Sequence, residues 1–352
     1  MNAHTRLSLV FVLALAACDV GLPDPYRVLE PRILAARFAV QGDESDDARA
    51  QVLPEEVLTI EPLLVDSGGR IAPPQIDALW LACALAPGQA PFACLQQAIP
   101  LTPSEIPRCP ALDPSPSWID PPEFPWPCAV TQRSDGTAVL GVPPVPTLLA
   151  SGALELTFIA GVPGGTSTQR CAEELLAGAH DVPADCLYGV HLAAIGPPHT
   201  LVERAAEHGV ELPEVPTPPR NATQADRNPR IAEFIAAVRD ADERRDEPIA
   251  IGRGDVIEVV RGDTLELRTT SPQEDLQRFG VPVNGGASFD VATEAYTGRW
   301  YVTWGELLSD VSLDAESTNE WTIEATEEDD DEGPQGGLAH LTYVVRDGRG
   351  GV

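Results

Sequence analysis

Six of the seven cysteines, Cys83, Cys94, Cys109, Cys128, Cys171 and Cys186, are the side chains whose type and spacing commit most firmly to a chemistry. An even set of thiols suits disulfide formation in an oxidising compartment. Several connectivities are open, and the spacing favours three sequential bridges, Cys83–Cys94, Cys109–Cys128 and Cys171–Cys186, each closing a local loop. A zinc site calls for Cys-x-x-Cys or mixed Cys/His spacing, which the chain lacks. His180, His191, His199, His208 and His340 are spaced too irregularly to share one helix face and read as loop or surface groups. The chain also has no Gly-x-Ser-x-Gly elbow, no His-Glu-x-x-His and no phosphate-binding glycine loop. No metal-ligating set and no cofactor are therefore expected.

Carboxylates are the most abundant remaining reactive groups: 54 Asp and Glu against 23 basic residues, all of them arginine, for a formal charge of −31. A surface this negative repels nucleic acid and anionic headgroups, which excludes DNA and RNA as partners. Glycan hydrolysis uses two carboxylates about 5–10 Å apart in space, a separation that sequence spacing does not report. Two buried carboxylates facing each other in an aromatic-lined cleft would mark an exported glycan-active hydrolase. Scattered carboxylates on convex faces would mark a non-catalytic module. The run Glu327 to Glu332 lacks the interleaved glycines of a calcium loop and reads as a self-repelling solvated segment. Arg253-Gly254-Asp255 and Arg261-Gly262-Asp263 read as turns ahead of strands.

The elements that must carry these groups begin with an export segment. Residues 1–17 join a basic start at Arg6, an apolar run from Leu7 to Leu15 and the small residues Ala16 and Ala17 before Cys18, the pattern of a signal peptide. The run is too short to cross a bilayer, which takes roughly 20 apolar residues. Leu15-Ala16-Ala17-Cys18 resembles the lipobox of bacterial lipoproteins. The resemblance implies that Cys18 becomes the first mature residue, carries diacylglyceryl and N-acyl chains, and makes the membrane a partner through its lipid. Each buried methylene contributes about 0.8 kcal/mol, so two or more chains hold stably. Residues 18–25 would be the tether. Asp19 resembles an inner-membrane retention signal of some Gram-negative lipoproteins, so the expected location is the outer membrane or cell surface, with the periplasmic face of the inner membrane as the alternative.

Beyond the tether, 35 prolines and 29 glycines disfavour long helices and favour short strands joined by turns, so a mainly β fold is expected. Strand patterns run from Val28 to Val40, Val57 to Val65, Asp77 to Cys83, Thr137 to Val142, Ala153 to Ala160 and Leu187 to Ile195. Between Cys171 and Cys186 the sequence reads as a polar loop with a helical turn. The proline-dense stretch 100–128 reads as an insertion, and its Trp118 and Trp126 either cap a sheet edge or form an exposed aromatic platform for a ligand. Thr200 to Glu203 forms a capping box for a short helix over 201–208. Ile231, Phe234, Ile235 and Val238 sit at helical spacing behind Asn228-Pro229, which taken alone favours a helix. Strands are then expected at Val256 to Val260, Thr264 to Arg268, Arg299 to Trp304, Glu320 to Ile323 and Leu341 to Val345.

Three landmarks resemble bacterial envelope lipoproteins built from immunoglobulin-like or polycystic-kidney-disease-like domains. They are Arg32-Ile33-Leu34-Ala35 with Trp80…Cys83, then Arg227-Asn228-Pro229-Arg230-Ile231, then Trp304…Trp321…Thr342 to Gly351. The resemblance implies two immunoglobulin-like β-sandwich domains, over 26–196 and 230–352, joined by a linker with a short helix over 197–229. It also turns Ile231 to Val238 into a strand. The expected function is that of a membrane-anchored, non-catalytic envelope module with a protein or glycan ligand or a spacer role, and the alternative is the glycan-active hydrolase.

Overall fold

The computed structural model describes residues 24–352 apart from 44, 46, 86–91, 93–95, 97, 100, 112–125, 146–152, 179–181, 208–223, 284–287, 324–333, 335–336 and 350. The fold is mainly β, with 43% strand against 11% helix, in several antiparallel sheets and without a barrel.

In chain order the N-terminal half contributes β1 (Arg32–Val40), β2 (Val57–Asp66), β3 (Gly69–Ile71), β4 (Ala78–Ala84), β5 (Cys128–Ala129), β6 (Thr131–Gln132), β7 (Ala138–Gly141), β8 (Ala153–Gly161), helix α1 (Thr168–Leu176), β9 (Cys186–Ala194) and helix α2 (Pro198–Glu207). One sheet has the order β1-β2-β7-β6 with β3 on β2, and the other has the order β5-β4-β8-β9. Alternation fixes which side chains meet between them. Leu58, Ile60 and Leu64 of β2 turn inward to Trp80 and Ala82 of β4 and to Leu154, Leu156 and Phe158 of β8. The opposite side chains of β4 and β8, Leu81, Cys83 and Ile159, form a second core with Cys171, Ala172, Leu175 and Leu176 of α1. The second sheet is therefore covered on both faces.

The C-terminal half contributes β10 (Glu233–Arg239), β11 (Ile249–Ala250), β12 (Thr264–Thr270), β13 (Arg278–Val283), β14 (Ser288–Thr293), β15 (Thr297–Val302), β16 (Glu306–Leu307), β17 (Val311–Ser312), β18 (Glu316–Thr322) and β19 (Leu341–Arg346). Its sheets run β11-β10-β12-β18-β16 and β17-β15-β19, beside the hairpin β13-β14. Ala236, Leu265, Leu267, Trp300, Val302 and Trp321 fill the space between them.

The two halves are stitched along one seam. Val28 donates its N–H to the Val302 carbonyl at 2.8 Å and Val302 returns a bond to Tyr26 at 3.0 Å, so the chain runs along β15 before entering β1. Val28, Leu34, Ala35 and Val65 then pack with Val344 of β19, and Arg346 donates to the Leu34 carbonyl at 2.6 Å.

Four local expectations change. The Cys171–Cys186 stretch opens inside a full helix, α1, that begins at Thr168 and runs to Leu176, because Cys171, Ala172, Leu175 and Leu176 form an apolar helical face. Helix α2 begins at Pro198, two residues ahead of the Thr200 capping box, as suits proline in a first turn. Residues 233–239 form strand β10, the alternative that the domain resemblance implied and not the helix that local spacing favoured, pairing with β12 from Glu233↔Thr270 to Arg239↔Thr264. There the tertiary ladder overrides local helical spacing. Val256 to Val260 is not a strand: Ile257 and Val259 pack on the core, whereas Val256 and Val260 are 75% and 68% exposed. Its alternation reports one-sided burial without a ladder partner.

Candidate functional site

The C-terminal half ends its first and last strands beside the seam, and there three carboxylates converge. Asp226 precedes β10, Glu294 follows β14 and Asp347 follows β19. They are 1%, 5% and 3% exposed, and one oxygen from each lies within 4.8 Å of the others.

Local backbone chemistry places each one. Asp347 opens a turn in which Gly348 adopts φ +85°, a left-handed conformation that glycine reaches without a Cβ clash. Within that turn the Asp347 carboxylate accepts the Arg349 N–H at 2.8 Å. Glu294 accepts the Gln277 N–H at 2.7 Å and the Arg349 guanidinium at 2.7 Å, a pair whose side chains are only 1% and 10% exposed. The same guanidinium stands 5.0 Å over the Phe279 ring and donates to Gln51 of the N-terminal half at 3.2 Å.

Asp226 is held by its main chain alone. Its carbonyl accepts the N–H groups of Ala50 and Gln51 at 2.9 and 3.2 Å, and its N–H donates to the Gln51 side chain at 3.2 Å. Two residues on, Asn228 donates to the carbonyls of Phe38 and Ala48 at 2.6 and 3.0 Å and accepts the Val352 N–H at 3.1 Å. Segment 226–228 is thus a buried clasp between the halves. Among the described residues no N–H donor reaches either carboxylate oxygen of Asp226, and its side chain meets that of Asp347, acid against acid.

Burial dominates the electrostatics. Asp226 is pushed up to about 8 by desolvation first and by the Asp347 charge second, against a lowering by Arg349. Glu294 is pushed up to about 7, again by burial first, while the Gln277 N–H pulls it down. Tyr296, whose hydroxyl donates to the Pro272 carbonyl at 2.6 Å, rises to about 12, mainly through burial. Three carboxylates against one guanidinium leave the formal charge at −2. Such a set can share protons between acids or hold a hard cation.

Among the sequence-expected groups, Cys109–Cys128 and Cys171–Cys186 are bridged, with Cα separations of 4.9 and 5.5 Å. Cys83 is also disulfide-bonded, and Cys94, its expected partner, lies outside the described residues. Trp126 is half-buried and packs against both cores of the N-terminal half, the contact expected of an edge cap rather than of an exposed platform. Trp118, Cys18, His180, His208 and the acidic run Glu327 to Glu332 lie outside the described residues. His191 sits in β9 with its ring centroid 6.0 Å from Trp80, His199 in α2 and His340 just ahead of β19, so these three do not assemble. The two Arg-Gly-Asp tripeptides are turns: Asp255 accepts the Gly252 N–H at 2.7 Å and Asp263 accepts the Val260 N–H at 2.9 Å.

Sequence reasoning missed Asp226, Glu294 and Asp347 as a set because they lie far apart in the chain. A usable signal was present: Asp226 abuts the landmark Arg227 to Ile231 ahead of the first strand of the C-terminal half, and Asp347 lies within the landmark that runs through its last strand. That half also carries an open groove of about 1870 Å³ lined by Ile257, Val259, Trp304, Trp321 and Leu341. It is larger than the usual small-molecule pocket of about 300–1,000 Å³. No family model, no curated protein and no solved structure matches the chain.

Proposed function

We propose that the chain is a membrane-anchored, non-catalytic cell-envelope lipoprotein acting as a binding or structural module. In this reading residues 1–17 are a signal peptide, Cys18 carries the lipid, 18–25 are the tether, and 26–196 and 230–352 are immunoglobulin-like β-sandwich domains. Its partners are the membrane, through the lipid, and a protein or glycan on its outer faces.

The observation that carries the non-catalytic reading is the burial of the carboxylate cluster. Asp226, Glu294 and Asp347 are at most 5% exposed and enclosed by the clasp at Gln51 and Asn228, whereas a glycosidase must admit a sugar between its two acids. The clasp supports a module in which the halves are held together to present a surface. The competing hydrolase draws support from the raised pKa of Asp226 and Glu294, a tuning that a general acid requires.

Two measurements decide between these readings. Cys18→Ala is expected to abolish metabolic palmitate labelling and move the protein out of the membrane fraction; a variant that stays labelled would refute the anchor. Purified protein is expected to leave envelope glycans uncleaved. Cleavage that disappears in Asp226→Asn would establish the hydrolase.

A further inference from the structure

We propose that Asp226, Glu294 and Asp347 form a buried calcium site that locks the seam between the two halves of the chain. The inference is independent of the lipid anchor and of the identity of any ligand.

The first support is Asp226, which is 1% exposed and, among the described residues, has no N–H donor on either carboxylate oxygen. A buried carboxylate without donors is strongly unfavourable. Its companions in the cluster are two more carboxylates, so the partner that lets all three ionise together is a cation. Arg349 does not supply it, because its guanidinium is engaged by Glu294, Gln51 and the Gln224 carbonyl. With all three acids ionised, as a bound cation would hold them, the formal charge of −2 left beside Arg349 matches a divalent ion.

The donors select the kind of ion. All three side chains offer oxygen, without the nitrogen or sulfur that zinc favours. Their oxygens, one from each, all lie within 4.8 Å of one another, close enough to share one hard cation, and a buried set of protein oxygens suits calcium better than magnesium, which usually keeps several of its waters. Gly351 adds a cradle beside them: a Cβ there would stand 1.9 Å from Asp347 Oδ2 and 2.8 Å from the Arg227 carbonyl oxygen. Only glycine keeps that approach clear, and the Arg227 carbonyl lies beside the acids as a further oxygen donor.

The position sets the consequence. Asp226 is bonded through its main chain to Ala50 and Gln51, and Val352 is bonded to Asn228, so an ion held by Asp226 and Asp347 draws together the strands on either side of the seam.

The test uses the full chain, stripped with chelator and titrated with calcium chloride. One calcium is expected per chain by calorimetry, with a Tm rise of about 3–6 °C at ten times Kd and slower amide exchange at 224–228 and 347–352. Asp226→Asn should lose both heat and shift. Gly351→Ala, which keeps all three carboxylates but crowds Asp347 Oδ2, should weaken binding at least tenfold and keeps the question answerable should Asp226→Asn not fold. Joint replacement of Glu327, Glu328 and Glu332 by Gln should leave binding intact. Absence of heat and Tm change up to about 10 mM calcium, well above the affinities of extracellular calcium modules, would overturn the site. An equal response to magnesium, or binding lost with the acidic run but retained in Asp226→Asn, would overturn it as well.

Discussion

The N-terminal half is held by apolar volume and covalent bridges, the C-terminal half by a smaller core and buried polar contacts. Among the described residues, 28 buried apolar side chains form the main core of the first and 10 its second core, against 8 in the main core of the other. No cysteine occurs beyond Cys186. In place of bridges, the C-terminal half buries Asp226, Asp263, Gln277, Glu294, Asn319 and Asp347, several of them bonded to main chain. The first strategy depends on an oxidising compartment and tolerates changes in ionic conditions. The second depends on compensating each buried charge, since an uncompensated one costs more than a lost apolar contact.

That contrast can be broken most directly in the larger core. Phe158→Ala removes a fully buried ring packed edge-on against Trp80 at 4.9 Å and is expected to cost about 3–5 kcal/mol, read by denaturant unfolding of the N-terminal half. A cost below about 1 kcal/mol would show that the half does not rely on this core. Next in size is the covalent contribution. Replacing Cys171 and Cys186 together by Ser opens a loop of sequence separation 15 and should cost about 3 kcal/mol. Thermal unfolding should show it in the N-terminal transition, with the C-terminal one unmoved; a shift of both would mean that the halves unfold as one.

The smallest expected effect is acid sensitivity through His191. Burial, followed by the nearby Arg346 charge, lowers its pKa from 6.5 to about 4. Its Nε2 is buried without a hydrogen-bond partner. Between those values the unfolded chain binds a proton that the folded chain refuses, so stability is fully present above pH 6.5 and falls as pH drops toward 4. The loss amounts to about 2–3 kcal/mol, and His191→Gln should flatten it in a pH series of urea melts. An unchanged slope in the variant would assign the acid limb to other groups.

Much of the strand placement along the chain was legible because period-2 alternation follows from one-sided burial, as in Leu58, Ile60 and Leu64. The same logic misled at Val256 to Val260, where burial is one-sided but no ladder exists; at β10 helical spacing pointed to a helix, while the resemblance to sandwich domains pointed to the strand that the partner β12 fixes. The two bridged pairs followed from loop spacing alone. The carboxylate set did not, because Asp226, Glu294 and Asp347 become neighbours only when the lead into β10 and the ends of β14 and β19 meet on the same side of the fold. Their sequence surroundings showed turn chemistry, and turn chemistry is too common to announce a site.

Strand β8 faces two cores at once, with Leu154, Leu156 and Phe158 on one side and Ile159 on the other. It thereby couples them: the helical layer of α1 cannot peel away without exposing the back of the strand that closes the main core. In the N-terminal half, local opening at the helix and global unfolding of the sheets share a free-energy cost, so the region should pass from folded to unfolded as one cooperative unit.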